Sequence, residues 1–329
     1  MQTKRQFIQS LGLVAAGAAG GLAAPATMAQ TAFPERPIRV VIPFPPGGSV
    51  DPIARVVLLK TGELLGQPMV LDNRAGGNTA IGAGLVSKAA PDGYTLMFTA
   101  ASTHVLHTLQ APQPYDALKD FLPVGAASRS SYMLAVHPSV PARTLPELIA
   151  FAKANPGRLN YASSGTGNTN HLAGELFNLL AGTRIVHVPY KGGAPALQDL
   201  VAGRVQMMLT NVPLLQPQVD AGNLRALAYT SQRAGRTQDP TFSQYGMPEF
   251  EQLESLNVLL APAGTPEAVI EKVAAALQKA LATAEVRSTI ENQLQAAFFM
   301  PPAALGARMR AERAKFVEVI DKGGISLTN

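Results

Sequence analysis

The sequence predicts an α/β protein of two domains, each a parallel sheet with helices on both faces. Three observations carry this. The chain has 329 residues, more than one compact core usually serves. Short apolar runs alternate with helical patterns, the order that builds βα units and a parallel sheet. Four joins between run and helix are glycine-rich turns, at residues 43–51, 73–79, 163–168 and 189–195.

Taken in order, residues 38–42 read as a buried strand. Pro43, Pro45 and Pro46 end it, because proline cannot donate to a ladder. Gly47 and Gly48 allow a tight turn and close approach to another molecule. Asp51 before Pro52 reads as an N-cap followed by proline at the first helical position, and the helix runs to Gly66. A strand over 69–71 leads into the second turn and a helix over 80–89. Pro91-Asp92-Gly93 is a turn before a strand over 94–99, which ends in a polar cluster of Thr99, Ser102, Thr103 and His104. Separate strands are expected at 121–127 and 132–136. Thr144-Leu145-Pro146-Glu147 is a capping box that opens a helix stopping at Asn155-Pro156-Gly157. A strand over 159–162, the third turn and a helix over 169–180 follow. A strand over 185–188 enters the fourth turn and its helix. Strands at 205–210 and 224–230, a turn-rich loop over 231–249 and a strand over 255–261 come next. Thr265-Pro266-Glu267 starts a long helix, and a last helix covers 303–321 before Gly323-Gly324.

Composition narrows the function. Hydrophobic residues make up 47% of the chain and charged residues 15%, so a substantial core is available. Cysteine is absent, which excludes disulfides, thiolate metal sites and a thiol nucleophile. Residues 3–8, an Ala/Gly-rich apolar segment over 11–24 and Pro25-Ala26-Thr27-Met28-Ala29 read as an export signal over 1–29, cleaved after Ala29. Lys4-Arg5-Gln6-Phe7-Ile8 is twin-arginine-like with lysine in the first slot, and general secretion stays equally open. Without Lys4 and Arg5 the formal charge falls from +5 to +3, and no basic run suggests nucleic acid.

Each glycine turn sits at the C-terminal end of a strand and the start of a helix. Such a turn points N–H groups and a positive dipole end at one spot. A tight βα connection explains one turn alone, but four of them suggest a shared purpose. In open α/β sheets ligands bind at those strand ends. Two facing domains would aim four helix starts into one cleft, which suits a small anion, most simply a carboxylate. Asp51, Arg74 and Lys191 are the charged residues of these turns.

Competing chemistries find less support. No G-x-x-x-x-G-K-[ST] loop occurs, and Gly165-Thr166-Gly167 lacks the third glycine of a dinucleotide fingerprint. Neither Ser163 nor Ser164 sits in a G-x-S-x-G elbow. His104 and His107 are three apart without a carboxylate close in sequence, and His137, His171 and His187 stand singly, so no metal or cofactor is expected. No carboxylate pair suggests acid–base work, Lys191 reads as an exposed turn residue, and no catalytic residue is assigned. The rival reading is an exported α/β hydrolase using Ser164 or Ser163, with His171 the nearest histidine.

Motifs spread over almost the whole mature chain are similar to one family. They begin with Pro37-Ile38-Arg39-Val40-Val41-Ile42-Pro43-Phe44-Pro45-Pro46-Gly47-Gly48, with Asp51 and Ala54-Arg55, then Asn73-Arg74 and Ala90-Pro91-Asp92-Gly93-Tyr94-Thr95-Leu96. Pro114-Tyr115-Asp116, Asp120-Phe121, Pro123-Val124 and Tyr161-Ala162-Ser163-Ser164-Gly165-Thr166-Gly167 follow. His171-Leu172-Ala173, His187-Val188-Pro189-Tyr190-Lys191-Gly192, Leu224-Arg225-Ala226-Leu227-Ala228 and Ala261-Pro262-Ala263-Gly264-Thr265-Pro266 complete them. Together they resemble the Bug family, the tripartite tricarboxylate transporter (TTT) substrate-binding proteins of proteobacteria.

The resemblance implies a two-domain type II periplasmic-binding-protein (Venus flytrap) fold with two interdomain crossover strands. Residues 30–127 plus 256–329 would form domain 1, and 128–255 domain 2. It further implies a monomeric periplasmic receptor, not an enzyme, that delivers a small carboxylate to the large and small membrane subunits of a TTT permease. A sensor feeding a two-component system is the other role considered. The expected ligand is a di- or tricarboxylate or an aromatic carboxylate such as terephthalate, flanked by Phe44, Tyr132 and Tyr190. The expected ligand-binding residues are Phe44, Gly47, Gly48, Ser49, Asn78, Thr79, Ser102 and Thr103 from one domain. Ser163, Ser164, Gly165, Thr166 and Asn168 come from the other. Asn211, where this family frequently has aspartate, is a departure, as is the aliphatic run before Ala261-Pro262.

Overall fold

The computed structural model describes residues 33–47, 50–110, 113–233 and 236–327, and the body considered below begins at Arg36. The expected export signal over 1–29, together with Gly48 and Ser49, lies outside the described residues, as does the side chain of Asn78. Among the described residues no helix is long and apolar enough to cross a membrane.

Parallel pairing begins at once. β1 (Ile38–Ile42) pairs with β2 (Met69–Asn73) on one side and β3 (Thr95–Ala100) on the other. α1 (Asp51–Leu65) and α2 (Ala80–Val86) make the connections, and α1 stops where Gly66 takes a left-handed φ of +75°. β3 runs directly into α3 (Ala101–Gln110), a helix the apolar periodicity did not announce. Its buried side carries Val105 and Leu106 but also Ser102 and His107, which find hydrogen-bond partners only in the fold, and His104, which finds aromatic neighbours.

The two runs expected as separate strands form one, β4 (Phe121–Val136). Its polar middle, Ser128 to Ser131, interrupts the hydrophobic pattern but not the ladder. α4 (Leu145–Ala154) starts at the expected capping box, where Thr144 Oγ1 accepts from the Glu147 N–H at 3.4 Å. β5 (Asn160–Ser163), α5 (Thr169–Ala181), β6 (Val186–Pro189), α6 (Gly193–Val201), β7 (Met207–Asn211) and α7 (Val212–Asp220) continue the βα order. Pro213 and Pro217 hid α7 from the sequence pattern. β8 (Arg225–Tyr229) and β9 (Glu254–Pro262) precede α8 (Glu267–Ala282), α9 (Ala284–Asn292), β10 (Ala296–Met300) and α10 (Pro302–Gly323). The long helix expected from Thr265 is α8, and it ends where Thr283 turns extended ahead of α9.

The strand order is β2-β1-β3-β9-β4-β7-β5-β6, with β8 and β10 also paired to β4. β9 is antiparallel to both β3 and β4, so β3 and β4 run the same way, and β7, antiparallel to β4, runs opposite. Ala100 pairs with Asn257 and Asn257 with Ser128, while Asn211 pairs with Tyr132. The C-terminal ends of β3 and β7 therefore approach the same short stretch of β4 from opposite directions. That is how β4 and β9 set two groups of βα units against each other.

Each group has its own core. One gathers Val41, Met97, Val258, Leu260, Leu305 and Met309. Another gathers Leu134, Tyr161, Phe177, Leu209, Phe242 and Phe250, and the opposite sheet face buries Met133, Ala135, Leu200, Met208 and Leu215. α10 joins the two groups: Leu305 and Met309 pack in the first core, Phe316 and Val319 in the second.

Candidate functional site

The first glycine turn carries its own anion. Asp51 is not the N-cap but the first residue of α1, and Val50 occupies the cap with helical dihedrals. The Asp51 side chain is 5% exposed and accepts from the Gly47 N–H at 3.1 Å, Arg55 Nε at 2.9 Å and Asn73 Nδ2 at 3.1 Å. Burial by itself raises this carboxyl, yet the hydrogen bonds from Arg55, Gly47 and Asn73 outweigh it and hold it below 3.8. The Gly47 N–H, expected to face a ligand, is thus answered internally. Asn73 Nδ2 also donates to the Phe44 carbonyl at 3.1 Å, which leaves Phe44 half-buried beside this network.

The second turn is strained. Thr79 has a φ of +78°, a region costly for a β-branched residue, and is buried. Its Oγ1 lies 3.1 Å from His107 Nδ1. Ser102 and Thr103 sit in the first turn of α3, where they diverge. Thr103 is half-buried, whereas the Ser102 hydroxyl donates to Glu312 of α10 at 2.5 Å. Ser102 is therefore committed to α10 rather than offered to a ligand. Burial raises the Glu312 carboxyl, and hydrogen bonding from Ser102 only partly offsets this.

The third turn is the most elaborately held. The Ser163 hydroxyl accepts from the Gly165 N–H at 3.1 Å and lies 2.6 Å from His187 Nε2. Asn170 Oδ1 accepts from both the N–H and the hydroxyl of Ser164, at 3.3 and 3.0 Å. The Gly167 N–H donates to His171 Nδ1 at 2.9 Å, and Asn168 Oδ1 lies 3.2 Å from His107 Nε2. Gly165 and Gly167 both have positive φ. Thr166 and Asn168 are half-buried at the start of α5. The fourth turn is zipped to the third, because the Tyr190 and Gly192 N–H groups donate to the Ser163 and Ser164 carbonyls at 3.0 and 3.2 Å. Four open helix starts were expected, but the Gly47 N–H of the first turn and the Tyr190 and Gly192 N–H groups of the fourth are already bonded within the protein.

Aromatic placement differs from expectation too. Tyr132 is 7% exposed in the second core, and burial pushes its hydroxyl above the usual range, so it does not flank a ligand. The Tyr190 hydroxyl donates to Asp199 at 2.8 Å.

His171 and His187, which stand singly in the sequence, pack together in the fold. His171 and His187 stack at 3.8 Å, and burial lowers each to about 4. His104 is packed between Tyr115 and Phe121, and burial lowers it to about 3. His107 turns instead to Thr79 and Asn168, so the His104–His107 pair does not converge. Among the described residues no group of three or more metal-ligating side chains is assembled. The Ser163–His187 contact resembles half of a hydrolytic site, but Ser163 is fully buried and no carboxylate among the described residues bonds either stacked ring. Asn170, His107 and His187 hold the turns in place, a role that the sequence did not show. Nothing local marks His107 and His187, since Asn168 and Ser163, their partners in the third turn, are far from them in sequence, whereas Asn170 bonds Ser164 six residues before it.

Two groups of βα units joined through β4 and β9, with glycine turns at their strand ends, have the architecture of a solute receptor of the periplasmic-binding-protein class. The chain belongs to the tripartite tricarboxylate transporter family of receptors, whose profile matches residues 53–322. It is 38% identical over 257 residues to Protein BugT of Bordetella pertussis, covering 77% of this chain and 78% of BugT. R. palustris Rpa4515, solved with adipate, is 32% identical with a TM-score of 0.77, covering 90% of this chain and 100% of that one. The periplasmic binding protein BugD is 27% identical with a TM-score of 0.74, at the same coverages. The protein is thus a periplasmic solute-binding receptor with the flytrap fold, and the hydrolase reading falls: its family and structural neighbours bind solutes and are not enzymes.

Proposed function

We propose that this receptor captures a small organic carboxylate at the start of α5 and delivers it to the membrane subunits of a TTT permease. The third turn supports this best. Among the described residues, the Thr166 N–H and the first N–H groups of α5 meet no protein acceptor, whereas the Gly47, Tyr190 and Gly192 N–H groups of the first and fourth turns are already bonded. The surroundings are electrically quiet. Arg55 is paired with Asp51 and Arg74 with Asp72, so dipoles and neutral donors would hold the anion. Thr166, Asn168 and Thr103 are the residues we assign to the ligand. The adipate in Rpa4515 supports a carboxylate of that size class.

Residues 30–127 and 256–329 form one lobe in this reading and 128–255 the other, with α10 lying across both. A monomeric mature chain would begin after Ala29. A thermal-shift screen of residues 30–329 against C4–C6 dicarboxylates, citrate, phthalate isomers and matched amides tests it. A ligand at a hundred times its dissociation constant stabilises by about 2.7 kcal/mol, enough to read easily. We expect a shift with at least one acid and none with its amide; equal shifts with acid and amide, or none throughout, reject the carboxylate assignment.

A further inference from the structure

We propose that His107 is a positioning residue of the carboxylate site, a role resting on the reading above: it sets which way the Asn168 amide faces and ties the third turn to the second. His107 Nε2 lies 3.2 Å from Asn168 Oδ1, and Nδ1 lies 3.1 Å from Thr79 Oγ1. An amide oxygen only accepts, so Nε2 carries the proton. In the neutral ring Nδ1 then accepts, and the Thr79 hydroxyl donates to it. With Oδ1 held, Asn168 Nδ2 is directed at Gly165, where a Cβ would lie 3.0 Å from it. The amide therefore turns its NH2 end, not its oxygen, towards the third turn at Gly165. That orientation suits an oxyanion, and the flipped amide would oppose one with its oxygen.

Independent features show that this contact is built. Thr79 keeps a strained φ of +78°, a conformation that persists only where neighbours enforce it. At Gly167 a Cβ would lie 2.6 Å from the Gln110 side chain, so the end of α3 is seated against the third turn one helical turn beyond His107 as well. α3 follows β3 and the third turn follows β5, so the contact joins the two groups of βα units.

The variants His107→Leu and His107→Gln separate positioning from packing. Glutamine keeps one donor and one acceptor near the ring nitrogens, whereas leucine keeps volume alone. We expect small-angle scattering of the mature chain to show a larger radius of gyration for His107→Leu than for wild type, with His107→Gln resembling wild type. Calorimetric titration with adipate, or with the acid giving the largest thermal shift, should weaken at least roughly tenfold in His107→Leu. His107→Gln should stay within about threefold, as the hydrogen bond is retained. The same radius in all three proteins, or equal losses for leucine and glutamine, would overturn the proposal. A scattering difference without any carboxylate shift would reject the ligand class while supporting the His107 link. Carboxylate binding unaffected by His107→Leu would reject the His107 role alone.

Discussion

Asp51 shows how a single residue can carry opposite meanings in sequence and in structure. Asp-Pro at a helix start reads as a cap, and a capping aspartate looks forward along its helix. Here the carboxylate looks backward to Gly47 and sideways to Asn73, because Val50 has already entered helical dihedrals. Replacing Asp51 by alanine removes the buried acceptor shared by the Gly47 N–H, the Asn73 amide and Arg55. We expect urea unfolding to show a loss of about 2–3 kcal/mol with an unchanged slope, the scale of buried hydrogen bonds to a charged group. No local pattern distinguishes the two roles, since both place an acid at the start of the helix.

At the scale of elements, α5 is where packing and site meet. The Tyr161 hydroxyl donates to Glu175 Oε1 at 2.5 Å, and a Cβ on Gly174 would lie 2.3 Å from the Tyr161 ring. Alanine at 174 gains about 1 kcal/mol of helix propensity. Overpacking against a buried ring costs about 1–3 kcal/mol and should win. We therefore expect Gly174→Ala to lower the melting temperature, and a rise would show that the ring can move aside. The sequence revealed α5 and its glycine turn, because apolar spacing and turn residues are local. It concealed α3, α7 and the unity of β4. Their polar or proline-bearing stretches are stabilised by contacts distant in sequence, such as Ser102 with Glu312.

For the whole molecule, buried histidines set the response to acid. His104 is lowered to about 3, and His171 and His187 to about 4, by burial. A histidine whose folded pKa lies below its unfolded 6.5 costs nothing above pH 6.5, and stability falls as pH drops from there toward the folded value. Each contributes at most roughly 1.4 kcal/mol per pH unit in that window. Asp51 and Asp72, lowered below 3.8 against the opposing effect of burial, add stability that is lost only at more acid pH. Glu312 opposes both trends, because its raised carboxyl destabilises increasingly as pH rises. Melting temperature measured from pH 7.5 to 4.5 should therefore decline progressively below pH 6.5. A flat profile to pH 4.5 would show that these histidines are charged or solvated in the fold.

The sequence by itself determined the α/β class, the βα order, the glycine turns at strand ends and membership of a receptor family. All of these follow from local chain stiffness, apolar period and motifs read in series. Tertiary structure alone decided which turns keep free donors. Whether an N–H faces a ligand depends on acceptors that arrive from elsewhere in the chain. Asp51 answers Gly47, the third turn answers the fourth, and His107 reaches from α3 to Asn168 across 61 residues of sequence. Hydrogen-bond partners are chosen by proximity in space, and proximity at that separation is set only when β4 and β9 bring the two groups of units together.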